Sequence, residues 1–98
     1  MVEIRKTDVF VEWLDSLGDL HARARVQARI ERLAIGNPGD VRPVGEGVSE
    51  LRIHYGPGYR VYFRQRAQAV IVLLAGGDKR TQAKDIKTAL RLARGLSE

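Results

Sequence analysis

A predicted β-hairpin in the second half of the chain carries side chains that are suited to chemistry. Two strand-like segments flank a tight Gly-Pro-Gly turn, and they run from Val48 to Tyr55 and from Tyr59 to Arg66. Because alternate residues of a strand share a face, the polar residues of both segments should lie on one side of the hairpin. These residues are Arg52, His54, Arg60, Tyr62 and Arg64.

The chemistry of this polar side is that of a nucleic-acid contact. Arginine binds phosphate through two parallel hydrogen bonds, and a tyrosine ring offers a stacking face to an unpaired base. Histidine is a common general base in enzymes, so His54 is able to take the proton of a ribose 2′-hydroxyl. Two alternatives stay open: a solvated hairpin face with ordinary surface charges, and a strand histidine that only bonds a neighbour. His21 is interpreted as a surface or capping residue.

A second cationic segment follows an apolar one. Ala69 to Ala75 is apolar on both faces, which predicts a central strand, and Gly76-Gly77-Asp78-Lys79-Arg80 comes directly after it. We predict a Gly-Gly turn here that opens the last helix. The backbone N–H groups at that helix start, together with two cations, would form an anion site. The alternative is a plain strand-to-helix turn. Lys84 lies on the basic face of the same helix.

Caps and periodicity predict the remaining elements. They are a strand from Val2 to Arg5, a helix capped by Thr7 and ended by Gly18, a helix capped by Asp19 that runs to about Ile35, an edge strand from Val41 to Val44 around Pro43, and a last helix capped by Thr81 or Asp78 that runs to about Arg94. The order β-α-α-β-β-β-β-α indicates an α+β fold with a mostly antiparallel sheet. A length of 98 residues predicts a single domain over residues 1–98.

The bulk composition narrows the class of protein. Seventeen Lys and Arg against twelve Asp and Glu give a net charge of +5 and a pI of about 10.1. Such a charge attracts nucleic acid, ribosomes or an acidic partner, although it also serves plain solubility. The absence of cysteine excludes a disulfide scaffold and a thiolate metal site. We expect no metal and no cofactor. With neither a signal peptide nor a membrane-length apolar run, we expect a cytoplasmic protein without membrane contact.

Four segments resemble the RelE/ParE superfamily of type II toxins, and in particular its HigB-like "addiction module killer protein" branch. In order, they are Glu50-Leu51-Arg52-Ile53, Gly56-Pro57-Gly58-Tyr59-Arg60-Val61-Tyr62-Phe63, Leu73-Leu74-Ala75-Gly76-Gly77-Asp78-Lys79 and Thr81-Gln82-Ala83-Lys84-Asp85-Ile86. The likeness extends from Val2 to about Arg94. It implies a RelE-like fold, in which a curved, mostly antiparallel sheet carries an N-terminal helical hairpin and a C-terminal helix.

The resemblance also implies a function. Most studied RelE and HigB relatives inhibit translation and growth by cleaving mRNA in the ribosomal A site. They use no metal, since the 2′-hydroxyl attacks the adjacent phosphate. An antitoxin, often a helix-turn-helix protein, neutralises the toxin in a hetero-oligomer. ParE relatives instead poison DNA gyrase, and a third hypothesis is a catalytically silent regulator that binds its antitoxin.

By position, the resemblance assigns roles to individual residues. Arg60 matches the arginine that contacts the scissile phosphate, Arg52 lies near the strand lysines of RelE, and Lys79 or Arg80 occupies the region of a second arginine. No tyrosine follows Tyr62, and the Asp-Tyr-His-like ending of the HigB type is absent. His54 is therefore the candidate base, and Tyr62 a replacement for the missing stacking or acid group. The candidate catalytic residues are Arg60, His54, Lys79 and Arg52, and the candidate RNA contacts are Tyr62, Arg64, Arg80 and Lys84.

Overall fold

The computed structural model describes residues 2–96, which form one five-stranded sheet with helices on both faces. The strands are β1 (Glu3–Lys6), β2 (Val41–Gly45), β3 (Val48–Ile53), β4 (Tyr59–Arg66) and β5 (Val70–Asp78). The helices are α1 (Asp8–Ser16), α2 (Leu20–Ala34) and α3 (Gln82–Arg94), and a 3₁₀ turn (Lys79–Thr81) precedes α3. The predicted element order and the α+β class are confirmed.

The strands lie in the order β1-β5-β4-β3-β2. β1 pairs with β5 in parallel, and the other three pairs are antiparallel. The apolar segment around Ile71 is therefore a central strand, as predicted. β2 lies at the edge, where Pro43, which has no N–H to donate, is tolerated. β1 occupies the other edge, so both ends of the sheet are short strands.

Side-chain caps fix the starts of the helices. The Thr7 hydroxyl accepts a hydrogen bond from the N–H of Phe10 at 3.0 Å. Asp19 accepts hydrogen bonds from the N–H groups of His21 at 2.9 Å and Ala22 at 3.3 Å. Both predicted caps are confirmed. Each satisfies N–H groups that a first helical turn leaves without a backbone partner.

Two apolar layers hold the helices to the sheet. In the first layer, α1 and α2 pack on one face, and the buried residues are Phe10, Leu14, Val26, Ile30, Leu33, Leu51, Ile53, Val61, Phe63, Ile71 and Leu73. In the second layer, α3 packs on the opposite face, and the buried residues are Val48, Tyr62, Val72, Leu74, Ala75, Ala89 and Ala93. α3 contributes only two alanines to its buried layer, so its backbone lies close to the sheet.

Gly76 and Gly77 do not form the predicted turn, because β5 continues through both of them to Asp78. A Cβ atom at Gly76 would overlap the ring of Trp13 on α1. A Cβ atom at Gly77 would overlap the carboxylate of Asp85 on α3. Because the two glycines have no side chain, one helix can pack closely against each face of the strand. In the sequence alone, glycines with this packing role look the same as a Gly-Gly turn.

The β3–β4 hairpin has a longer connection than the sequence predicted. β3 ends at Ile53, so His54 and Tyr55 belong to a loop of residues 54–58. The N–H of Gly58 donates to the carbonyl of Tyr55 at 3.1 Å. The Tyr55 hydroxyl donates to the Asp19 carboxylate at the start of α2, at 3.2 Å. Tyr55 thus leaves the strand because its ring packs toward α2.

Within residues 2–96, no helix has the length and apolar composition needed to cross a membrane.

Candidate functional site

A depression of about 420 Å³ opens beside the tip of the β3–β4 hairpin. We call it the hairpin cleft, and its lining residues are Arg52, His54, Tyr55, Gly56, Pro57, Gly58, Arg60 and Lys79. All four residues that the sequence suggested as catalytic line this one depression. These side chains come from four places in the fold, namely β3, β4, the loop that connects them and the residue after β5.

Strand register explains why the cations converge. Arg52 on β3 lies directly opposite Arg60 on β4, and Arg60 lies opposite Gly77 on β5. Lys79 follows two residues after Gly77, where β5 has ended. A Cβ atom at Gly58 would lie 3.5 Å from Nη1 of Arg60 and 3.8 Å from Cβ of Lys79, and the φ angle of Gly58 is +82°. The positive φ angle therefore favours glycine at position 58, whereas the space beside it would accept a Cβ atom in ordinary van der Waals contact.

A buried carboxylate lies behind the two arginines. Glu50 is 2% exposed. Its Oε1 lies 3.5 Å from Nε of Arg52, and its Oε2 lies 3.5 Å from Nε of Arg60. Oε2 also accepts hydrogen bonds from the hydroxyl of Tyr62 at 3.0 Å and from Nε2 of Gln82 at 2.9 Å. Glu50 thus joins β3, β4 and α3 and compensates the charge of two cations that are themselves largely withdrawn from water.

Tyr62 is not available as a stacking surface, contrary to the prediction from the sequence. Its side chain is fully buried beneath α3 and hydrogen-bonded to Glu50. Burial, followed by the charge and the hydrogen bond of Glu50, raises the pKa of Tyr62 well above its usual range. The phenol therefore stays protonated and donates to Glu50, so it does not fit the role of a proton donor to a ligand. It supports the carboxylate that holds the arginines.

His54 is exposed and forms a close pair with Asp40. Its Nε2 lies 2.6 Å from Oδ2 of Asp40, in the segment before β2. The hydrogen bond from His54 lowers the pKa of Asp40, so the carboxylate is ionised near neutral pH and acts only as an acceptor. Nε2 must then carry the hydrogen in this pair, and Nδ1 is the ring nitrogen that could accept a proton from a ligand.

The other three predicted RNA contacts lie outside the lining of the hairpin cleft. The guanidinium of Arg80 pairs with Asp78 at 3.1 Å, and the same carboxylate accepts the N–H of Arg80 at 2.8 Å. Asp78 therefore occupies the helix start where the sequence predicted an anion site. Arg64 donates to the carbonyl of Ala93 near the end of α3 at 3.3 Å. Lys84 lines a separate depression on α3.

Comparison with known proteins gives the affiliation of the chain. Residues 12–96 match the family of phage-derived Gp49-like proteins. The chain belongs to this family. An uncharacterized protein of Haemophilus influenzae is similar to this Gp49-like protein, at 48% identity over 95 residues, which cover 97% of this chain and 96% of the relative.

The fold of this Gp49-like protein is that of RelE. It matches the structure of a double arginine-to-alanine mutant of the Escherichia coli toxin RelE in the free state with a TM-score of 0.75. The match covers 97% of this chain and 98% of that chain at 12% sequence identity. At this identity the similarity establishes the fold alone, and it confirms the RelE-like fold predicted from the sequence. The chemistry of the protein has to be argued from the residues of the cleft.

Positive charge dominates the cleft of this Gp49-like protein. Three cations, Arg52, Arg60 and Lys79, line the cleft, and the carboxylate of Glu50 pairs with two of them, Arg52 and Arg60. Among residues 2–96, no carboxylate lies within ion-pair distance of Lys79. No three His, Cys, Asp or Glu side chains of the same residues cluster as ligands of a metal would. The side chains present therefore suit an anion such as a phosphodiester.

Three residues of the site were not singled out from the sequence. They are Glu50, Gln82 and Asp40. Glu50 alternates with Arg52 on the same face of β3, which is a signal that the sequence does contain. Gln82 comes from α3 and Asp40 from a loop, and both reach the site through tertiary packing. Nothing local in the sequence indicates those two contacts.

Proposed function

We propose that this Gp49-like protein is the toxin of a type II toxin–antitoxin system and a ribosome-dependent mRNA endonuclease. The observation that carries the proposal is the convergence of Arg52, His54, Arg60 and Lys79 in one cleft. The RelE-like fold and the family membership support it. The four sequence segments further suggest the HigB-like branch. Inhibition of translation in the cytoplasm and growth arrest would follow from such an activity.

The cations suit the charge that develops during phosphodiester cleavage. When a 2′-oxygen attacks the adjacent phosphorus, negative charge accumulates on the phosphoryl oxygens. Arg60, held by Glu50 and by the carbonyl of Gly58 at 2.9 Å, is fixed before the ligand arrives. Fixed donors stabilise a transition state without reorganisation, which is the largest contribution in many enzymes. Arg52 and Lys79 add charge on either side of Arg60.

His54 is the proposed general base. The 2′-hydroxyl gives its proton to Nδ1 of His54 as the bond from its oxygen to phosphorus forms, while Asp40 stabilises the resulting imidazolium. The bond between phosphorus and the 5′-oxygen then breaks, and the leaving 5′-oxygen takes a proton from solvent water. The products are a 2′,3′-cyclic phosphate and a 5′-hydroxyl end. No metal ion takes part in this proposed scheme.

A toxin of this type also requires an antitoxin. We infer a cognate neutralising protein, of the helix-turn-helix class common among HigB-like systems, that forms a hetero-oligomer with the chain. Its binding would withhold the protein from its other proposed partners, which are the ribosome and its mRNA. Purification of the chain together with the product of the adjacent gene tests this part of the proposal independently of catalysis.

The decisive experiment adds the purified protein to a translation reaction with a defined mRNA and maps the new 5′ ends. Arg60→Ala is compared with Arg5→Ala, which removes the same charge from an exposed residue of β1. We expect cuts within A-site codons only when ribosomes are present. Loss of one fixed donor should slow cleavage about 100-fold or more in Arg60→Ala and leave Arg5→Ala unchanged.

Two other outcomes would replace the proposal. Intact message together with DNA breaks and an SOS response would indicate a gyrase poison. Intact message without growth arrest would indicate a catalytically silent protein that binds its antitoxin. Cleavage that proceeds equally in wild type and Arg60→Ala would show that the hairpin cleft is not the catalytic site.

A further inference from the structure

A second depression, of about 310 Å³, adjoins the hairpin cleft on the side of α2. We call it the α2 groove, and its lining residues are Arg25, Ala28, Arg29, Arg32, Ile53 and His54. His54 lines both depressions, so the two adjoin at this side chain. A ligand that occupies the cleft and extends past His54 therefore enters the α2 groove.

The α2 groove is lined by three cations of one helix. Arg25, Arg29 and Arg32 follow one another along one face of α2 at spacings of four and three residues. Among residues 2–96, none of these arginines has a carboxylate within ion-pair distance. The nearby carboxylate of Asp40 is engaged by His54 at 2.6 Å. The surface therefore has an unbalanced positive charge in a concave setting.

Arg29 is fixed in the wall of the groove. Its Nη1 donates to the carbonyl of Arg52 at 2.6 Å, and its Nη2 donates to the carbonyl of Pro38 at 2.7 Å. Its Nε is buried and has no hydrogen-bond partner. Burial, followed by repulsion from Arg32, lowers the pKa of Arg29. A bound anion would relieve this repulsion and compensate a cation that is partly removed from water.

Arg25 lies at the junction of the two depressions. Its guanidinium carbon lies 4.7 Å from the centre of the Tyr55 ring, and Tyr55 also lines the hairpin cleft. The hydrogen bond from Tyr55 to Asp19 holds that ring in place. Ala28 and Ile53 add apolar atoms to the lining that contains the arginines. A lining that combines cations with apolar atoms suits a chain in which phosphates alternate with sugars.

We propose that the α2 groove binds backbone phosphates of the single-stranded RNA that flanks the nucleotide held in the hairpin cleft. The proposal rests on the proposed function, since it extends the same strand beyond the reacting phosphate. An acidic protein segment would also meet positive charge here. Adjacency to the cleft at His54 favours the nucleic acid, because the groove then accommodates the next part of one ligand.

The test measures binding alone, so that it does not depend on catalysis. Fluorescent RNA oligonucleotides that are fully 2′-O-methylated, and so cannot be cut through the 2′-hydroxyl, are titrated at several salt concentrations. The groove variant is Arg25→Ala/Arg32→Ala, which leaves the structural Arg29 in place. The matched control, Arg5→Ala/Lys87→Ala, removes two charges from exposed positions on β1 and α3. A trinucleotide, which the cleft alone holds, is compared with a nonanucleotide.

We expect the groove variant to bind the trinucleotide as wild type does and the nonanucleotide more weakly. The slope of log affinity against log salt for the nonanucleotide should fall in magnitude by about 1.4, or about 0.7 for each phosphate that the variant no longer neutralises. Equal slopes in the groove variant and the matched control would overturn the proposal, as would a failure of wild type to bind the nonanucleotide at low salt.

A different result would assign the groove to a protein partner. If the groove variant binds RNA normally but no longer binds a polyglutamate peptide that wild type binds, the RNA proposal is overturned and an acidic segment is the ligand. Message cleavage on ribosomes is measured separately with Arg60→Ala. Failure of the proposed function and failure of the groove are thus distinguishable.

Discussion

Arg52 and Arg60 lie directly opposite each other on adjacent strands, and the Nε atom of each is 3.5 Å from the same carboxylate. Like charges at opposed positions of a sheet repel each other and destabilise the pair. Glu50 reverses this effect, because one buried carboxylate is shared by both guanidinium groups. The placement of two arginines side by side in the cleft therefore depends on a third residue, Glu50.

Glu50→Gln should destabilise the protein strongly, because it leaves two poorly hydrated cations without a counter-charge. We expect the free energy of unfolding to fall by about 3 kcal/mol, at the lower end of the cost of breaking a buried ion pair. Urea unfolding measures the change. Glu12→Gln, at an exposed position of α1, is the control and should leave the unfolding midpoint unchanged. Equal midpoints for the two variants would contradict the role of Glu50.

Tyr62→Phe should lower stability while it keeps the aromatic ring. The variant loses the hydroxyl that donates to Glu50, and a hydrogen bond to a charged group contributes about 1.5–3 kcal/mol. Tyr55→Phe loses a hydroxyl whose bond to Asp19 is exposed, so its unfolding midpoint should change less. Thermal or urea unfolding of both variants tests the difference. A Tyr62→Phe protein of wild-type stability with weakened RNA binding would show instead that the hydroxyl meets the ligand.

Gly76→Ala should disturb the packing of α1 on β5. The added methyl group would overlap the ring of Trp13, which is also in edge contact with Tyr59 at a centroid distance of 6.2 Å. Overpacking of this kind costs about 1–3 kcal/mol. Trp13 is the single tryptophan of the chain, so its fluorescence reports the displacement directly.

Gly18→Ala is the matched control for Gly76→Ala, because nothing lies within 4 Å of the added carbon. We expect Gly18→Ala to keep the wild-type fluorescence spectrum and unfolding midpoint. A Gly76→Ala variant that is indistinguishable from this control would mean that Trp13 has room to move, and that the close approach at Gly76 is not required.

The pair of Asp40 and His54 should contribute stability with a defined pH dependence. The hydrogen bond from His54 lowers the pKa of Asp40 in the folded state. The contribution is therefore fully present above the ordinary aspartate pKa of about 3.9, and it is lost as the pH falls through the lowered value. The difference in unfolding free energy between wild type and Asp40→Asn should accordingly shrink below about pH 4.

A double-mutant cycle isolates this pair. Asp40→Asn, His54→Ala and the double variant are unfolded in urea at neutral pH and at acidic pH. We expect a favourable coupling energy at neutral pH that disappears in acid. Additive effects at both values would show that the contact at 2.6 Å carries no interaction energy in solution.

Local signals in the sequence account for much of the fold. Thr7 and Asp19 cap their helices as predicted, since a cap involves only residues within one turn. The bounds of β4 were predicted without error, because Gly58 and the alternation of side chains mark the start of that strand. Pro43 identified an edge strand because its missing N–H excludes an interior position.

The predictions made from the sequence were wrong where a helix covers the sheet. Alternation correctly separates the two faces of the hairpin, but α3 covers part of the polar face and leaves the rest open. Tyr62 and Glu50 are buried and hydrogen-bonded together beneath the helix, whereas the side chain of Arg52 is 24% exposed. No local pattern tells how far along the strands a distant helix extends. The catalytic candidates could therefore be grouped from the sequence, but their buried support could not.

The parallel pairing of β1 with β5 also bears on how the chain acquires its structure. Glu3 is registered with Val70, so the first strand has no partner until most of the polypeptide has left the ribosome during synthesis. Contacts this distant in sequence make folding slow relative to helix formation, since a long loop must close first. Lys79 follows β5, and the cleft is complete only after the same step. A nascent chain that stops before β5 should therefore have neither a finished sheet nor a finished site.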